Sequence, residues 1–430
     1  MSQGTSTVPT ERIRTIDIVR GIAVLGILTI NVSDMAYPED LVLAFDVIDP
    51  ERGWNFWTGL SLEVLFSGKM RGLFTVLFGV SSVLIIERLS AKMDGLAVAE
   101  VYFRRLLWLL VFGLVNAYVF LWWGDVLFKY AMLGMVLFPF RRASFAVLIA
   151  AILSCLAVLT IQPFVEYREM VNLQESYLGV EKKRQLGELL TADDQEVVAQ
   201  WEDRLDEAEA DGDAIEAEME VRTSGYIENF QYNVEDVIEE QTTIFYEEDF
   251  WDLILYMFLG IMLFRLGFFD ERTKKTVHLV VCLVGIGVGL TMHAWLNIGL
   301  QEDRQDVTGL LFYLIFVDLG RLPFVLGYLS LITLVFRFRD FQRLGDGMAA
   351  VGRMALSNYL LQSIFSAFVF YGFGLAQFNQ LSRLDLAMLI GFVCLLQIAF
   401  SVIWMRWCYF GPFEWLWRSL TYWKVQPLLK

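Results

Sequence analysis

Four cysteines and two histidines in 430 residues leave little room for metal or thiol chemistry. Cys155, Cys282, Cys394 and Cys408 stand far apart with no CxxC or CxxxH spacing, so neither a disulfide framework nor a zinc site is supported. All four fall in or beside apolar segments, where a lone thiol behaves as a small buried hydrophobe. His278 and His293 belong to no motif, and each reads as a core residue of an apolar helix. A glycine-rich phosphate loop, a dinucleotide fingerprint, Ser-His-Asp spacing and a haem motif are all missing. RGIAVLG, beginning at Arg20, has the glycines of a weak phosphate loop but lies inside an apolar run, where small residues let helices approach. No nucleic-acid partner is expected.

What the chain has in abundance is apolar length. Hydrophobic residues make up 56% of it, its mean hydropathy is +0.51, and a spanning helix needs about 20 mostly apolar residues. Ten candidate spans follow, at 16–36, 73–86, 106–122, 126–140 and 145–163, then 251–269, 277–296, 310–336, 354–371 and 386–404. The low pI of 4.7 comes from a single insert. Between Val165 and Asp252 there are 27 acidic and 6 basic residues, a net −21, which leaves +5 for the rest of a chain totalling −16. The expected fold is therefore all-α: a polytopic bundle of about ten transmembrane helices with one acidic, partly helical extracytoplasmic insert. Its parts would be a first membrane part (1–164), the insert (165–250), a second membrane part (251–404) and a cytoplasmic interfacial C-terminal helix (405–430).

Loop charge alternates along these spans. One side carries Arg12 and Arg14, Arg88 and Lys92, Arg104 and Arg105, Arg141 and Arg142, Lys274 and Lys275, Arg337 and Arg339, and Arg406. The other carries Glu39 and Asp40, the insert, and Glu302 with Asp303. The positive-inside bias then puts both termini in the cytoplasm and the insert outside. The polar N-terminus leads into a full-length span without a cleavage site, so the first helix is expected to be retained. Within the insert, 195–221 is rich in helix formers, Gly212 should break it into two helices, and Trp201, Leu205 and Ala208 give one modest apolar face. The aromatic-rich second half could fold back over the membrane mouth. Such a block of like charge reads as a solvated lobe, with docking of a basic partner as the alternative. In the eighth span Gly320 and Pro323 interrupt the run. Both a packed kink and a discontinuous helix lining a cavity would satisfy the freed backbone.

Ionisable groups inside spans are costly, so they mark function or buried pairing. Asp17 and Arg20 are three apart on the first helix and should pair near its inner end, and Asp318 and Arg321 repeat that spacing. Asn31 and Asp34 lie on the outer half of the first span. Lys69 and Arg71 precede the second against the charge trend, with Glu63 upstream. Asn116 sits within the third span, and Asp125 and Lys129 are four apart at the start of the fourth. In the ninth, Asn358, Gln362 and Ser366 form a polar stripe with Tyr359 and Ser363 beside it.

Four segments, TIDIVRGIAVLGILTIN, SGKMRGLFTVLFG, WWGDVLFKYAMLG and GRMALSNYLLQSIFSAFVFY, together with the C-terminal FSVIWMRWCYFGPFEWLWRSLT, resemble the YeiB family of bacterial inner-membrane proteins (domain of unknown function 418). The resemblance covers most of the chain outside the insert. It implies a distant similarity to transmembrane acyltransferases, which take an acyl group from cytoplasmic acyl-CoA and pass it to an acceptor across the membrane. Two positions depart from that pattern. Asn31 and Asn116 stand where such sequences often carry histidine, and an asparagine cannot act as general base.

Three functions remain open. In an acyl transferase, with acyl-CoA as co-substrate and no covalently bound cofactor, Arg20, Lys69 and Arg71 would hold phosphates. Asp125 or Asp17 would serve as base, and a cavity between the first, second and ninth helices would be lined by Arg20, Asn358 and Gln362. A transporter or flippase would use the ninth-helix stripe and a broken eighth helix around Asp318 and Arg321. A structural or regulatory subunit would bind a membrane partner, or a second copy, through the acidic insert. Lipid is the expected surroundings in every case.

Overall fold

The computed structural model describes residues 13–93, 95–208, 212–270, 273–302 and 307–430, with backbone only at 205–208, 302, 307, 308 and 310. Arg12, Asp303 and the side chains of Leu205, Ala208 and Glu302, invoked above, lie outside this set. All ten apolar stretches contain a helix, no strand occurs among the described residues, and the chain is an all-α membrane bundle. The first part comprises α1 (Arg14–Ala36), α2 (Glu39–Val42), α3 (Phe45–Ile48), α4 (Trp54–Phe66), α5 (Lys69–Ser90), α6 (Leu96–Tyr118) and α7 (Val126–Phe140). Next come α8 (Phe145–Gln185), α9 (Ala192–Ala208), α10 (Gly212–Arg222) and α11 (Tyr226–Glu239). A π-wound segment, Glu240–Asp249, leads without a break into α12 (Phe250–Arg265). The remainder is α13 (Lys275–Glu302), α14 (Val307–Val335), α15 (Gln342–Arg353), α16 (Ala355–Phe370), α17 (Arg383–Trp407) and α18 (Pro412–Tyr422).

The most buried wall of the bundle is built by α1, α5 and α12, whose Val19, Val24, Leu73, Val76 and Leu253 are shielded completely. By contrast, α8, α13 and α17 are apolar and mostly exposed, as lipid-facing helices must be. The glycines of α1 serve packing. A Cβ on Gly21 would lie 2.0 Å from the Met348 carbonyl oxygen of α15, and one on Gly352 would lie 1.9 Å from that of Asp17. Two backbones therefore touch, which only small residues permit.

Two prolines do not end helices as their type suggests. α8 runs through Pro163 for 41 residues and carries the chain into the insert. α14 runs through Pro323 without interruption. Proline removes one N–H donor, and the carbonyl it leaves free can be satisfied in a long helix by a neighbouring hydroxyl, a water or a local adjustment of the winding. The helix α4 has no counterpart among the expected elements. It joins α5 across Ser67 and Gly68, where Gly68 adopts φ +68° and a Cβ would stand 2.4 Å from the Arg321 Nε. Left-handed backbone and close approach together require glycine.

The insert is tethered at both ends. Tyr177 of α8 stacks on Trp201 of α9 at 5.5 Å, and Lys183 donates to Asp194 at 2.7 Å. The Lys183 ammonium, with the Thr191 donors behind it, holds the Asp194 carboxyl down at about 2. A depressed carboxylate stabilises fully above its ordinary value of about 3.9, and that contribution is lost as pH falls toward about 2. Proteolysis of the insert at Leu189, which is 97% exposed, should therefore accelerate between pH 4 and pH 2 as judged with an acid protease. Aspartate-to-alanine exchange at position 194 should remove this pH dependence. Further on, Asn233 Nδ2 donates to the Ala117 carbonyl at 2.9 Å and Tyr226 Oη to that of Val119 at 3.0 Å. The second half of the insert thus folds back over the end of α6. At the other end of the bundle α18 lies against α6 and α16, with Trp417 Nε1 donating to the Arg105 carbonyl at 2.8 Å.

Candidate functional site

Between α1, α5, α6, α7, α16 and α18 lies a cavity of about 240 Å³. One end is basic, because four helices bring arginines there: Arg20 from α1, Arg88 from α5, Arg105 from α6 and Arg418 from α18. Arg353, at the end of α15, adds a fifth, and its Nε is buried without a partner. Two carboxylates share this rim, Asp17 and Glu414. Arg20 Nη1 donates to Asp17 Oδ1 at 3.0 Å and Nη2 to Ser81 Oγ at 2.8 Å, so the expected pair forms. Glu414 does not pair with Arg418 as the i, i+4 spacing suggests. It accepts from the Ser357 backbone N–H at 3.1 Å and from the Ser357 hydroxyl, capping the first turn of α16. Among the described residues no carboxylate reaches ion-pair distance of Arg105, Arg353 or Arg418. The Arg105 guanidinium instead stacks 3.4 Å over the Trp417 ring. A rim with this excess of cations is built for an anion.

Away from the rim the wall turns apolar, and it ends at two tyrosines, Tyr130 and Tyr359. Tyr359 Oη donates to Asp125 Oδ1 at 3.3 Å while accepting from Trp122 Nε1 and the Val126 N–H, each at 3.2 Å. Asp125 caps α7 through the Phe128 N–H at 2.9 Å and takes a further bond from Asn116 Nδ2 at 2.8 Å. One carboxylate therefore sits directly behind a cavity tyrosine. Asn116 Oδ1 is buried and unpartnered.

Several expected members are elsewhere. Lys129 does not pair with Asp125, whose oxygens are already committed to α7 and Asn116. It binds Glu240 and Asp249 instead. Arg71 is held by Asp249 at 2.8 Å and Asp252 at 2.9 Å, so it has no fork left for phosphate. Arg321 spans Asp252 at 3.2 Å and Asp318 at 2.9 Å. Together these groups form one buried network that fastens the Glu240–Asp249 return to α5, α7 and α14. Lys69 is buried and donates to the Glu63 carbonyl at 3.3 Å, so it too is removed from any phosphate role. Asn358 and Gln362 are turned away from the cavity. Asn358 Nδ2 reaches Ser401 Oγ at 3.1 Å, and Gln362 Nε2 reaches Gln397 Oε1 at 2.9 Å and the Val24 carbonyl at 3.1 Å. The stripe of α16 thus fastens it to α17 and α1. Asn31 is half-buried on α1, near a second cavity of about 20 Å³ bordered by Asp34, Glu63 and Arg383. Both histidines are buried against phenylalanine rings, His278 on Phe268 and His293 on Phe324.

Asp17 restrains the rim. Replacing it with asparagine should cost only about 1 kcal/mol, because the pair is partly open to the cavity and Arg20 keeps Ser81. The same change should tighten binding of coenzyme A, read by isothermal titration of purified protein. Weaker binding would show that Asp17 orients Arg20 more than it neutralises it.

An all-helical bundle with lipid-facing helices around an internal cavity, basic at one end and apolar at the other, defines a polytopic membrane protein with an amphipathic binding chamber. Residues 263–424 match the family described as protein of unknown function (DUF418), and relatives matched over nearly the whole chain support the same YeiB/DUF418 resemblance. It is 27% identical to the uncharacterized protein YxaH of Bacillus subtilis, covering 100% of this chain and 99% of that one. To the uncharacterized protein YeiB of Escherichia coli it is 28% identical over 96% of both. A 39.9 kDa protein from the amylase 3' region of Bacillus acidopullulyticus is 23% identical over 97% of this chain and 96% of its own. No solved structure matches.

Proposed function

We propose that this protein transfers an acyl group from a cytoplasmic thioester donor, an acyl-CoA, to an acceptor on the far side of a bacterial inner membrane. The observation that carries this reading is the cavity itself, with five arginines at one end and Asp125 behind Tyr359 at the other. The positive-inside bias assigns the arginine rim to the cytoplasm, together with both termini. Phosphates of the donor would engage the arginine forks, and the thioester would lie toward Tyr359. As an acceptor hydroxyl or amine attacks the thioester carbonyl, its proton passes to Tyr359 Oη while the Tyr359 proton passes to Asp125 behind it. When the C–S bond breaks, the proton returns by the same route to the departing thiolate, and the thiol leaves toward the rim.

The transport alternative drew on a broken eighth helix and a free polar stripe on the ninth. α14 is continuous, and the stripe is consumed in helix packing. A purely structural role, with the acidic insert holding a second copy or a membrane partner, leaves the cationic rim without a purpose.

Sidedness is tested first. A reporter fused after Lys183 should report an extracytoplasmic position and one after Lys275 a cytoplasmic one, and the reverse result removes the cytoplasmic donor. The reaction is tested by binding of radiolabelled acyl-CoA to purified protein, followed by chase of the label onto added acceptors. Absence of binding at millimolar donor would end this reading.

A further inference from the structure

The cavity is far longer and more apolar than an acetyl group needs. Its lining on α1 runs from Ile13 to Ile27 and on α5 from Phe74 to Arg88, each about 21 Å of helix at 1.5 Å per residue. The cations sit on the turns nearest one end. Beyond them α1 offers Val24 and Ile27, α5 offers Leu77, and α6 and α7 offer Leu109 and Leu127. The volume of about 240 Å³ is room for several waters at about 30 Å³ each, but that part of the wall gives them few partners. Its floor is rigid and aromatic. Phe74 stacks on Tyr130 at 5.9 Å and 13°, Phe78 leans on the same ring at 5.0 Å, and Tyr130 Oη is fixed by Thr75 Oγ1 at 2.6 Å.

We infer that the ligand is a phosphate-headed amphiphile with a hydrocarbon tail of several methylenes, its phosphate on the arginine rim and its tail ending on the Phe74–Tyr130 floor, which sets chain length. This deepens the acyl-transfer reading and rests on it for the identity of the donor. Two sources share the chemistry: a chain-bearing coenzyme A thioester from the cytoplasm, or a single-chain phosphate monoester lipid from the bilayer. An apolar slot closed by aromatic rings rewards each added methylene until the chain meets the floor, and then stops.

The test is titration of purified full-length protein with acetyl-, butyryl-, hexanoyl-, octanoyl- and decanoyl-CoA, and in parallel with lysophosphatidates of matching chains. Affinity should rise about fourfold per methylene, equivalent to about 0.8 kcal/mol, and then level off. Phe74→Ala should move the plateau to longer chains, and Leu77→Phe should move it to shorter ones. Arg105→Gln should weaken every ligand alike and leave the plateau in place. Thermal unfolding of each variant separates a moved floor from a misfolded one, and the two floor variants give opposite shifts, so either alone suffices if the other fails to fold. Acetyl-CoA binding as tightly as octanoyl-CoA, or a plateau that neither floor variant moves, would overturn the tail inference while leaving acyl transfer standing. Chain-dependent binding of lysophosphatidate without any binding of coenzyme A esters supports the tail inference and overturns the thioester donor. No chain-dependent binding in either series overturns the inference outright.

Discussion

Replacing Lys129 with methionine should destabilise the protein by about 3–5 kcal/mol, the cost of leaving a buried carboxylate without its counter-charge. Lys129 is almost fully enclosed, as are Glu240 and Asp249. Asp249 would retain Arg71, so Glu240 is the group left stranded. Adding Glu240→Gln to the Lys129→Met variant should therefore recover a substantial part of the loss, since an amide is far cheaper to bury than an unpaired carboxylate. Thermal unfolding in detergent, followed for the two single variants and the double, measures the coupling directly. Strict additivity would mean that the pair contributes nothing and that packing alone fixes the return segment.

The second large effect concerns chemistry. Asp125→Asn should reduce acyl transfer by about 10²–10⁴-fold, the usual contribution of a positioned general base. Structure should be little affected, because asparagine caps a helix as well as aspartate does. Its single oxygen keeps the Phe128 N–H, and its NH2 can donate to the otherwise unpartnered Asn116 Oδ1 once that amide flips. Asp125→Ala would lose the cap as well, at about 1 kcal/mol. The asparagine variant thus separates catalysis from folding: donor binding should persist while label no longer moves to acceptor. Full activity in Asp125→Asn would remove the base from Asp125 and return the search to the rim.

That each of the ten apolar stretches would hold a helix was legible because long apolar runs have few other uses, and among the described residues six helices are long and apolar enough to cross a membrane. α4 was not, since WNFWTGLSLEVLF is short and mixes Trp, Asn, Ser and Glu, so neither length nor period separates it from a loop. Prolines misled in one direction only: Pro163 suggests a helix end on local grounds, and α8 continues through it. Part of the candidate site was legible too. Asp17, Arg20, Asn116 and Asp125 stand out as polar residues in apolar surroundings. Arg88 and Arg105, however, carry the same signature as any cytoplasmic loop charge, so sequence reads them as topology markers although they also line a chamber. The partner of Lys129 is hidden from the sequence for a different reason. Local spacing favours Asp125, but a carboxylate already bonded to a helix N-terminus and an amide has little left to offer, and groups more than a hundred residues away take its place. No periodicity in a single sequence encodes that choice.

The Glu240–Asp249 return also has a bearing on synthesis. Arg71 finds Asp249 178 residues further along the chain, and Lys129 finds Glu240 111 residues further along. While the ribosome is still working through the insert, the first helices are already in the bilayer with both cations unmatched. Those cations cannot find their counter-charges until the far end of the acidic segment has been made and has folded back to meet them. The insert should therefore set the timing of closure: the helices before it are expected to stay loosely packed until the Glu240–Asp249 return has been made. A chain cut short after α8 should be degraded rapidly in cells, even though every span it contains is intact.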